Sequence, residues 1–409
     1  MYFERIIMKK KLLVLLLALA LVSTAVFGGD WRYVFGDLDQ HPEILIGFVP
    51  SYTTMGVGYS GLSLIPGNRT ELQFLTGGGY SQRKVWQDPN TGSPITTNPL
   101  IYDVWRVEWL LKFTQGFGHS WVPNKDLVTA YVGYEGRWED NVDSMVTGKT
   151  RSNGGVSRPV ASISDWFLNP WAATANAIYP DLTASTDGRR MMLGTTFQGG
   201  VKLDMMRDLM TSQDGFLADL NVKWAPLALN RALDGEADYY SVTLNAVGAW
   251  TPYQLKSDDG SLNLFAITLV DRFNVNWTDG RKVPVYAQGG VSLGRKVRGF
   301  TTWSYNTRFT MVNNFDVRFA GPEPFFNGLY PRINLFFDIG YGAGAYFNSS
   351  VKPENGYNLL CSTGVQFTVS IFDFIDLGYQ LAYIIDGMNY AKGVQAHGIV
   401  GSVTFFLDF

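Results

Sequence analysis

The sequence predicts an all-β protein, a transmembrane antiparallel β-barrel of about 16 strands. Composition is the first reason: the 409 residues include 44 glycines and 15% aromatic residues but only 17% charged residues, against about 25% charged in ordinary soluble domains. The second reason is that no apolar run after residue 28 is long enough for a membrane-spanning helix. The third is a two-residue alternation of apolar and polar side chains, typical of strands with lipid on one face.

The first residues have the features of a secretory signal peptide. Three lysines, at positions 9–11, precede an apolar stretch over residues 12–22, and small residues follow. That stretch is too short to span a bilayer, which takes about 20 residues. We expect a signal peptide over 1–28, with cleavage after Gly28 or Ala25, a short periplasmic segment over 29–53, and the barrel over 54–409. Met8, directly before the lysines, is an alternative start.

The C-terminal strand shows the alternation clearly. Val403, Phe405, Leu407 and Phe409 alternate with mostly polar residues, so one face would meet lipid and the other a polar lumen. A strand ending on phenylalanine resembles the signal that outer-membrane barrels present to the barrel-assembly machinery. Phe405, Leu407 and Phe409 are therefore the candidate assembly signal.

Similar alternation predicts further strands along the second half of the chain. The count of about 16 follows from chain length and strands of roughly 9–11 residues. A polar region over 140–190 is predicted to be a long extracellular loop. The clearest predicted strands cover 216–226, 238–252, 262–277, 311–320, 332–345, 359–370, 374–385 and 399–409.

Three segments carry a resemblance beyond a general barrel pattern. They are GGVSLGRKVRGF at 289–300, FDIG at 337–340, and LDMMRD at 203–208 followed by Gly215. They resemble motifs of the bacterial surface antigen superfamily, which includes the central barrel of the barrel-assembly complex and the two-partner secretion transporters. The resemblance covers roughly residues 190–409.

The resemblance implies a specific contact inside the barrel. In that family an extracellular loop folds into the lumen with an arginine-glycine-aromatic tip, here Arg298, Gly299 and Phe300, and the arginine meets an inward-facing acid, here Asp338. The alternation separately places Asp338 on the lumen face. An arginine fork and a carboxylate give a defined bidentate pair. The resemblance also implies a strand motif at Asp204, Arg207 and Asp208.

Three functions stay open at this point. The family's assembly and secretion members carry periplasmic domains, and none fits before Thr54, so the expectation is a barrel-only relative in outer-membrane biogenesis or export. A periplasmic partner protein would then supply the missing part. The alternatives are a passive diffusion porin for small solutes, and a surface antigen or adhesin that acts through the 140–190 loop.

Several function classes are excluded by the residues present. The net charge of −3 gives no basic excess for nucleic acid. The single cysteine, Cys361, provides no thiol pair, and His41, His119 and His397 are too dispersed for a metal or acid–base site. The expectation is therefore no enzyme, no metal and no cofactor, with outer-membrane lipid as the main partner.

Overall fold

The computed structural model describes most of the chain as strands of one large sheet. Nothing is described for the predicted signal peptide, for most of the predicted 140–190 loop, or for Phe409. The described residues are 34–35, 43–49, 52–59, 64–85, 100–121, 125–143, 150–153, 156–159, 191–208, 212–233, 235, 237–260, 263–284, 287, 296–300, 307–322, 328–346, 358–371, 375–386 and 398–407.

Strands account for nearly all of the regular structure. A short helix, α1 (Leu227–Ala232), follows Pro226. No helix among the described residues is long and apolar enough to cross a membrane. The strands are β1 (Val34–Phe35), β2 (Glu43–Val49), β3 (Tyr52–Tyr59), β4 (Thr70–Val85), β5 (Leu100–His119), β6 (Asp126–Asp143), β7 (Thr150–Asn153), β8 (Val156–Pro159), β9 (Met191–Asp204), β10 (Arg207–Asp208), β11 (Gln213–Ala225), β12 (Asp238–Lys256), β13 (Asn263–Lys282), β14 (Thr307–Ala320), β15 (Leu329–Tyr346), β16 (Asn358–Ile371), β17 (Ile375–Asp386) and β18 (Gly398–Leu407).

The main sheet is antiparallel and follows chain order. It runs from β1 to β6, then β9, then β11 to β18, with β10 attached to β11; β7 and β8 form a separate hairpin. Within the described residues no pairing joins the two edge strands of this sheet, β1 and β18. The prediction of an all-β antiparallel fold is confirmed, and closure into a barrel of about 16 strands stays a prediction.

The two ends of the sheet differ in the length of their connections. At one end, the turn end, β16 reaches β17 through residues 372–374 and β12 reaches β13 through residues 257–262. At the other, the loop end, residues 283–306 join β13 to β14 and residues 144–190 join β6 to β9. Short turns on one side and long loops on the other are the arrangement of outer-membrane barrels.

Strand β17 shows that the two faces of the sheet differ chemically. On β17, Leu377, Tyr379, Leu381 and Tyr383 are exposed, whereas Gln380 is buried on the opposite face. We call the face with exposed apolar side chains the outer face and the opposite one the inner face. The predicted alternation therefore describes the real faces of this strand.

Aromatic residues of the outer face lie at two levels. The upper aromatic row, near the loop end, has ring contacts between Tyr134 and Phe197, Phe197 and Trp224, and Tyr240 and Trp277. The lower aromatic row, near the turn end, has contacts between Tyr253 and Phe265, and between Phe265 and Phe319.

The inner face is polar, and the sheet curves around it. Tyr131 on β6 donates a hydrogen bond to Asp219 on β11 (2.9 Å), although β9 lies between the two strands. Gly200 on β9 makes this possible, because a Cβ there would lie 2.4 Å from the Tyr131 ring. Glu135 and Lys223 form a similar ion pair across β9, at 2.8 Å.

The sheet also includes part of the segment expected to precede the barrel. Residues 43–49 form β2, which pairs with β3 from Glu43↔Gly58 to Val49↔Tyr52. Its sequence EILIGFV has apolar residues at consecutive positions. The two-residue alternation that marks the other strands is therefore absent, which explains why the sequence suggested a strand start only near Thr54.

Candidate functional site on the inner face

The loop between β13 and β14 returns to the inner face at residues 296–300, which we call the loop tip. Phe300 donates a backbone hydrogen bond to the Val297 carbonyl (3.3 Å), which closes a tight turn. Gly299 has φ +94°, a conformation that L side chains rarely adopt. A Cβ at Gly299 would also lie 3.1 Å from the Cβ of Ala382, so the turn and the close approach to β17 both favour glycine.

Arg298 donates three hydrogen bonds to the carboxylate of Asp338. Its Nη2 donates to Oδ1 (2.6 Å), while its Nε and its backbone N–H both donate to Oδ2 (2.8 Å each). Asp338 lies on β15 and is fully buried. The structure thus brings together the two residues that the resemblance paired, in bidentate geometry.

A second carboxylate, which the sequence analysis did not single out, completes the charge cluster. Asp316 on β14 lies 2.6 Å from Arg298 Nη2. It also contacts Arg272 on β13 (2.7 Å) and Arg318 on its own strand (3.7 Å). Two buried acids therefore face three arginines, and Arg298 is the member that comes from the loop.

Further contacts fix the loop tip to the surrounding strands. Ser362 on β16 donates to the Arg298 carbonyl (2.6 Å), and Asn314 on β14 donates to the Lys296 carbonyl (3.0 Å). Lys296 donates to Asn274 on β13 (2.5 Å). The Arg298 guanidinium stacks over the Phe336 ring at 4.0 Å, an attractive cation–π arrangement. The tip is thus held by polar contacts from four consecutive strands, β13 to β16.

The aromatic residue of the tip fills an apolar pocket. Phe300 is 2% exposed and belongs to a buried apolar cluster with one residue of the loop tip and residues of three strands. This burial adds a hydrophobic contribution to the polar contacts of Arg298. The other buried members are Val297, Val312, Leu360 and Ile384, with Val400 packed against them.

Burial and charge act in opposite directions on the two cations of the loop tip. Burial lowers the pKa of the Lys296 ammonium to about 8. Burial also disfavours the charged Arg298, but hydrogen bonds and charges from Asp338 and Asp316 outweigh it and raise the pKa of its guanidinium. Arg298 therefore stays charged, whereas Lys296 bears the cost of an unpaired buried charge.

The other predicted motif lies at the turn end and is separate from the loop tip. Asp204 at the end of β9 forms ion pairs with Lys202 (3.0 Å) and Lys125 (3.5 Å). Arg207 pairs with Asp214 (3.2 Å), and Asp208 pairs through its backbone with Gln213. These contacts brace the β9–β11 turn.

A glycine at the start of β11 fits closely against that turn. Gly215 has φ +118°, and a Cβ there would lie 2.1 Å from the Met205 carbonyl oxygen. Glycine is therefore favoured here by the backbone conformation and by the lack of space for a side chain.

The predicted assembly signal lies partly outside the described residues. Phe405 and Leu407 are in β18, opposite Leu377 and Ile375 of β17. Phe409 lies beyond the described chain. The signal therefore stays a prediction.

Sequence reasoning missed Asp316, Ser362, Phe336 and Gly364. The alternation of β14 could have placed Asp316 inward, because it shares a face with Asn314 and Arg318. Gly364 has no such signal: its missing side chain leaves room for the Phe336 ring, which a Cβ would approach to 2.7 Å. Only the paired structure shows that Gly364 lies opposite Phe336.

Comparison with known proteins gives a distant structural likeness. No family model matches the chain, and no curated protein matches it. Among solved structures the chain is similar to BamA from Haemophilus ducreyi lacking POTRA domains 1–3, with a TM-score of 0.49 and 11% sequence identity. The match covers 89% of this chain and 64% of that chain, so the present chain spans less than two thirds of its length.

Proposed function

We propose that the chain is an integral outer-membrane β-barrel whose lumen is plugged by the loop tip, and that it acts in outer-membrane biogenesis or export. The proposal rests on the polar contacts that three strands make with Arg298. They come from Asp316 on β14, Asp338 on β15 and Ser362 on β16. A loop bound this way blocks the lumen and opens only when these contacts break. Arg298 and Asp338 are then a structural or gating lock.

The membrane assignment is supported by the two faces of the sheet. The outer face exposes large apolar side chains, such as Val132, Leu335 and Phe367. Exposing such a face to water is unfavourable, whereas exposing it to lipid is favourable. A strand edge in lipid would leave bare N–H and C=O groups, each costing several kcal/mol, so we infer that β18 closes against the first strands of the sheet.

Three partners are proposed for an outer-membrane barrel of this kind. Outer-membrane lipid would cover the outer face, and the barrel-assembly machinery would receive the C-terminal strand during insertion. A periplasmic protein that approaches the turn end would be a further partner in an assembly or export role. These partners are proposals that rest on the fold and on the resemblance of the sequence motifs.

A passive porin is the second candidate, and one observation favours it. Away from the loop tip, the inner face carries half-exposed charged residues, including Glu135 and Lys223 across β9. Such a lining suits a water-filled channel. A porin would conduct steadily whether or not Arg298 is present, because its path would run beside the loop tip.

Single-channel conductance in a planar bilayer distinguishes the two functions. We expect the refolded wild-type chain to give low or fluctuating conductance and Arg298→Ala to give large, stable openings. Lys223→Ala is the matched control, since it removes an inner-face cation without touching the loop tip, and it should behave as wild type. A large steady conductance that Arg298→Ala leaves unchanged would contradict the plug and favour the porin.

A further inference from the structure

A polar pair stands out on the apolar outer face of β13 and β14. Asn313 donates a hydrogen bond to Asp271 Oδ1 (2.7 Å). Asp271 lies on the outer face because its neighbour Arg272 contacts Asp316 on the inner face. Asp271 is exposed and Asn313 is half-buried.

The pair lies midway between the two aromatic rows. On β13, Asp271 is six residues from Phe265 of the lower row and six from Trp277 of the upper row. Six residues of a strand tilted by about 40° cover about 15 Å of depth, which is half the thickness of the hydrocarbon core. The other outer-face positions of β13 over this span are apolar: Ile267, Leu269, Phe273 and Val275.

The pair has unused hydrogen-bonding capacity. The carboxylate has a second oxygen, and the Asn313 amide has a second N–H; within the described residues, the 2.7 Å bond is the hydrogen bond that each side chain makes. Lipid tails offer no donor or acceptor, so these groups would be unsatisfied at this depth. A protein surface that supplies one donor and one acceptor at the same depth would satisfy both.

We propose that this surface is an interface between two copies of the chain, related by a two-fold axis along the membrane normal; the inference rests on the proposed membrane barrel. Such an axis preserves depth, so each Asp271 meets the Asn313 of the second copy. The second N–H of each amide is then donated to the second oxygen of the facing carboxylate. The surface is self-complementary, as an isologous interface must be.

The neighbouring strand leaves space for this approach. Gly248 on β12 pairs directly with Asp271, and a Cβ at Gly248 would meet no atom within 4 Å. The outer wall is therefore indented beside the carboxylate, whereas the next outward position on β12 toward the turn end is Trp250, 63% exposed. The side chains of the second copy could occupy this indentation.

Cross-linking in intact outer membranes tests whether two copies meet here. Phe315 pairs with Asp271 across the two strands, so Phe315→Cys, in a Cys361→Ser background, should give a covalent dimer with a short bifunctional thiol reagent. Phe367→Cys is the matched control, because Phe367 is also exposed on the outer face but lies on β16. Equal yields at the two positions, or adducts to a different protein at Phe315→Cys, would overturn the proposal.

Substitutions at the pair supply the second measurement, the molecular mass of the purified barrel in lipid nanodiscs. Wild type and Asp271→Asn, which keeps an acceptor, should be dimeric. Asp271→Leu should be monomeric, as should Gly248→Trp, which places a large side chain in the indentation. A monomeric wild type, or a dimeric Asp271→Leu, would contradict the interface.

A heat-induced shift in gel mobility checks that each variant has folded as a barrel. A chain that fails to insert in the outer membrane and lacks this shift would overturn the proposed function itself. An inserted, heat-modifiable and monomeric wild type would overturn only the dimer.

Discussion

Both carboxylate oxygens of Asp338 accept hydrogen bonds from Arg298, at 2.6 Å and 2.8 Å, although the residues are 40 positions apart in the chain. Asp338 is part of a rigid strand, whereas Arg298 belongs to a loop whose position depends on such contacts. The pair therefore fixes the loop tip to the inner face of the sheet. Its strength decides how readily the loop tip leaves.

Asp338→Asn should loosen the loop tip substantially. It leaves the Arg298 charge buried with only Asp316 as a partner, and breaking one side of a buried ion pair costs about 3–5 kcal/mol, reduced here by the remaining acid. The measurement is denaturant unfolding of the barrel in lipid vesicles.

The control for this change is an ion pair at the surface. Asp238→Asn removes the partner of Arg281, whose side chain is 78% exposed, and should cost less than about 1 kcal/mol. Equal effects of the two substitutions would show that the Arg298–Asp338 pair is not buried in the working protein.

Phe300→Ala should release the loop tip without disturbing the strands. The change empties a pocket that is closed by residues such as Leu360 and Ile384, at a cost of about 3–5 kcal/mol. Trypsin cleavage after Arg298 should become fast, with cleavage after the exposed Arg281 as the internal reference. Phe300→Leu keeps most of the apolar contact and should resist trypsin. Fast cleavage of the wild-type chain after Arg298 would contradict the buried position of the loop tip.

Gly299→Ala should weaken the same turn for two separable reasons. The positive φ costs an alanine about 1–2 kcal/mol, and its Cβ would press on the Ala382 Cβ at 3.1 Å. Adding Ala382→Gly should relieve the contact but not the backbone strain, so the double variant should recover part of the trypsin resistance. Full recovery would mean that backbone conformation is unimportant here.

The loop tip should bind more tightly in mildly alkaline solution. Burial lowers the pKa of Lys296 from 10.5 to about 8, so the bound tip favours the neutral amine. Binding is therefore weakest below pH 8 and strengthens as pH rises from 8 toward 10.5, by at most about tenfold per pH unit. Trypsin cleavage after Arg298, relative to Arg281, should fall over this range.

Lys296→Gln provides the control for the pH effect. It keeps a donor for Asn274 but does not titrate, so the ratio of cleavage at Arg298 to cleavage at Arg281 should no longer change with pH. A pH dependence that persists in this variant would have to come from another group, and the assignment to Lys296 would be wrong.

The strands of the second half could be predicted closely because one physical pattern controls them. The predicted span 332–345 became β15, Leu329–Tyr346, and 374–385 became β17, Ile375–Asp386. Lipid-facing and lumen-facing positions alternate along such strands, so a two-residue period appears in the sequence. Where apolar residues follow one another, as in the sequence of β2, that signal disappears.

Only part of the site could be predicted, because the rest depends on which strands become neighbours in the sheet. The Arg298–Asp338 pair came from sequence motifs together with the inward position of Asp338. Asp316 and Ser362 join the pair because β14 and β16 flank β15. Helix α1 was not predicted either; it is a single short segment, too brief to show a helical period.

A disulfide between the loop tip and the inner face tests whether the tip plugs the lumen. A Cβ at Gly299 would lie 3.1 Å from the Ala382 Cβ, close to the roughly 3.5–4.5 Å of a disulfide. The measurement is disulfide formation in Gly299→Cys/Ala382→Cys, in a Cys361→Ser background, within intact outer membranes. The control places the second cysteine at Gln380, the next inward position of β17.

We predict that the Ala382 pair oxidises readily, that the Gln380 pair does so much less, and that reduction raises the conductance of the Ala382 pair. Equal oxidation of the two pairs would show that the loop tip does not rest against β17, and the plugged barrel would be contradicted.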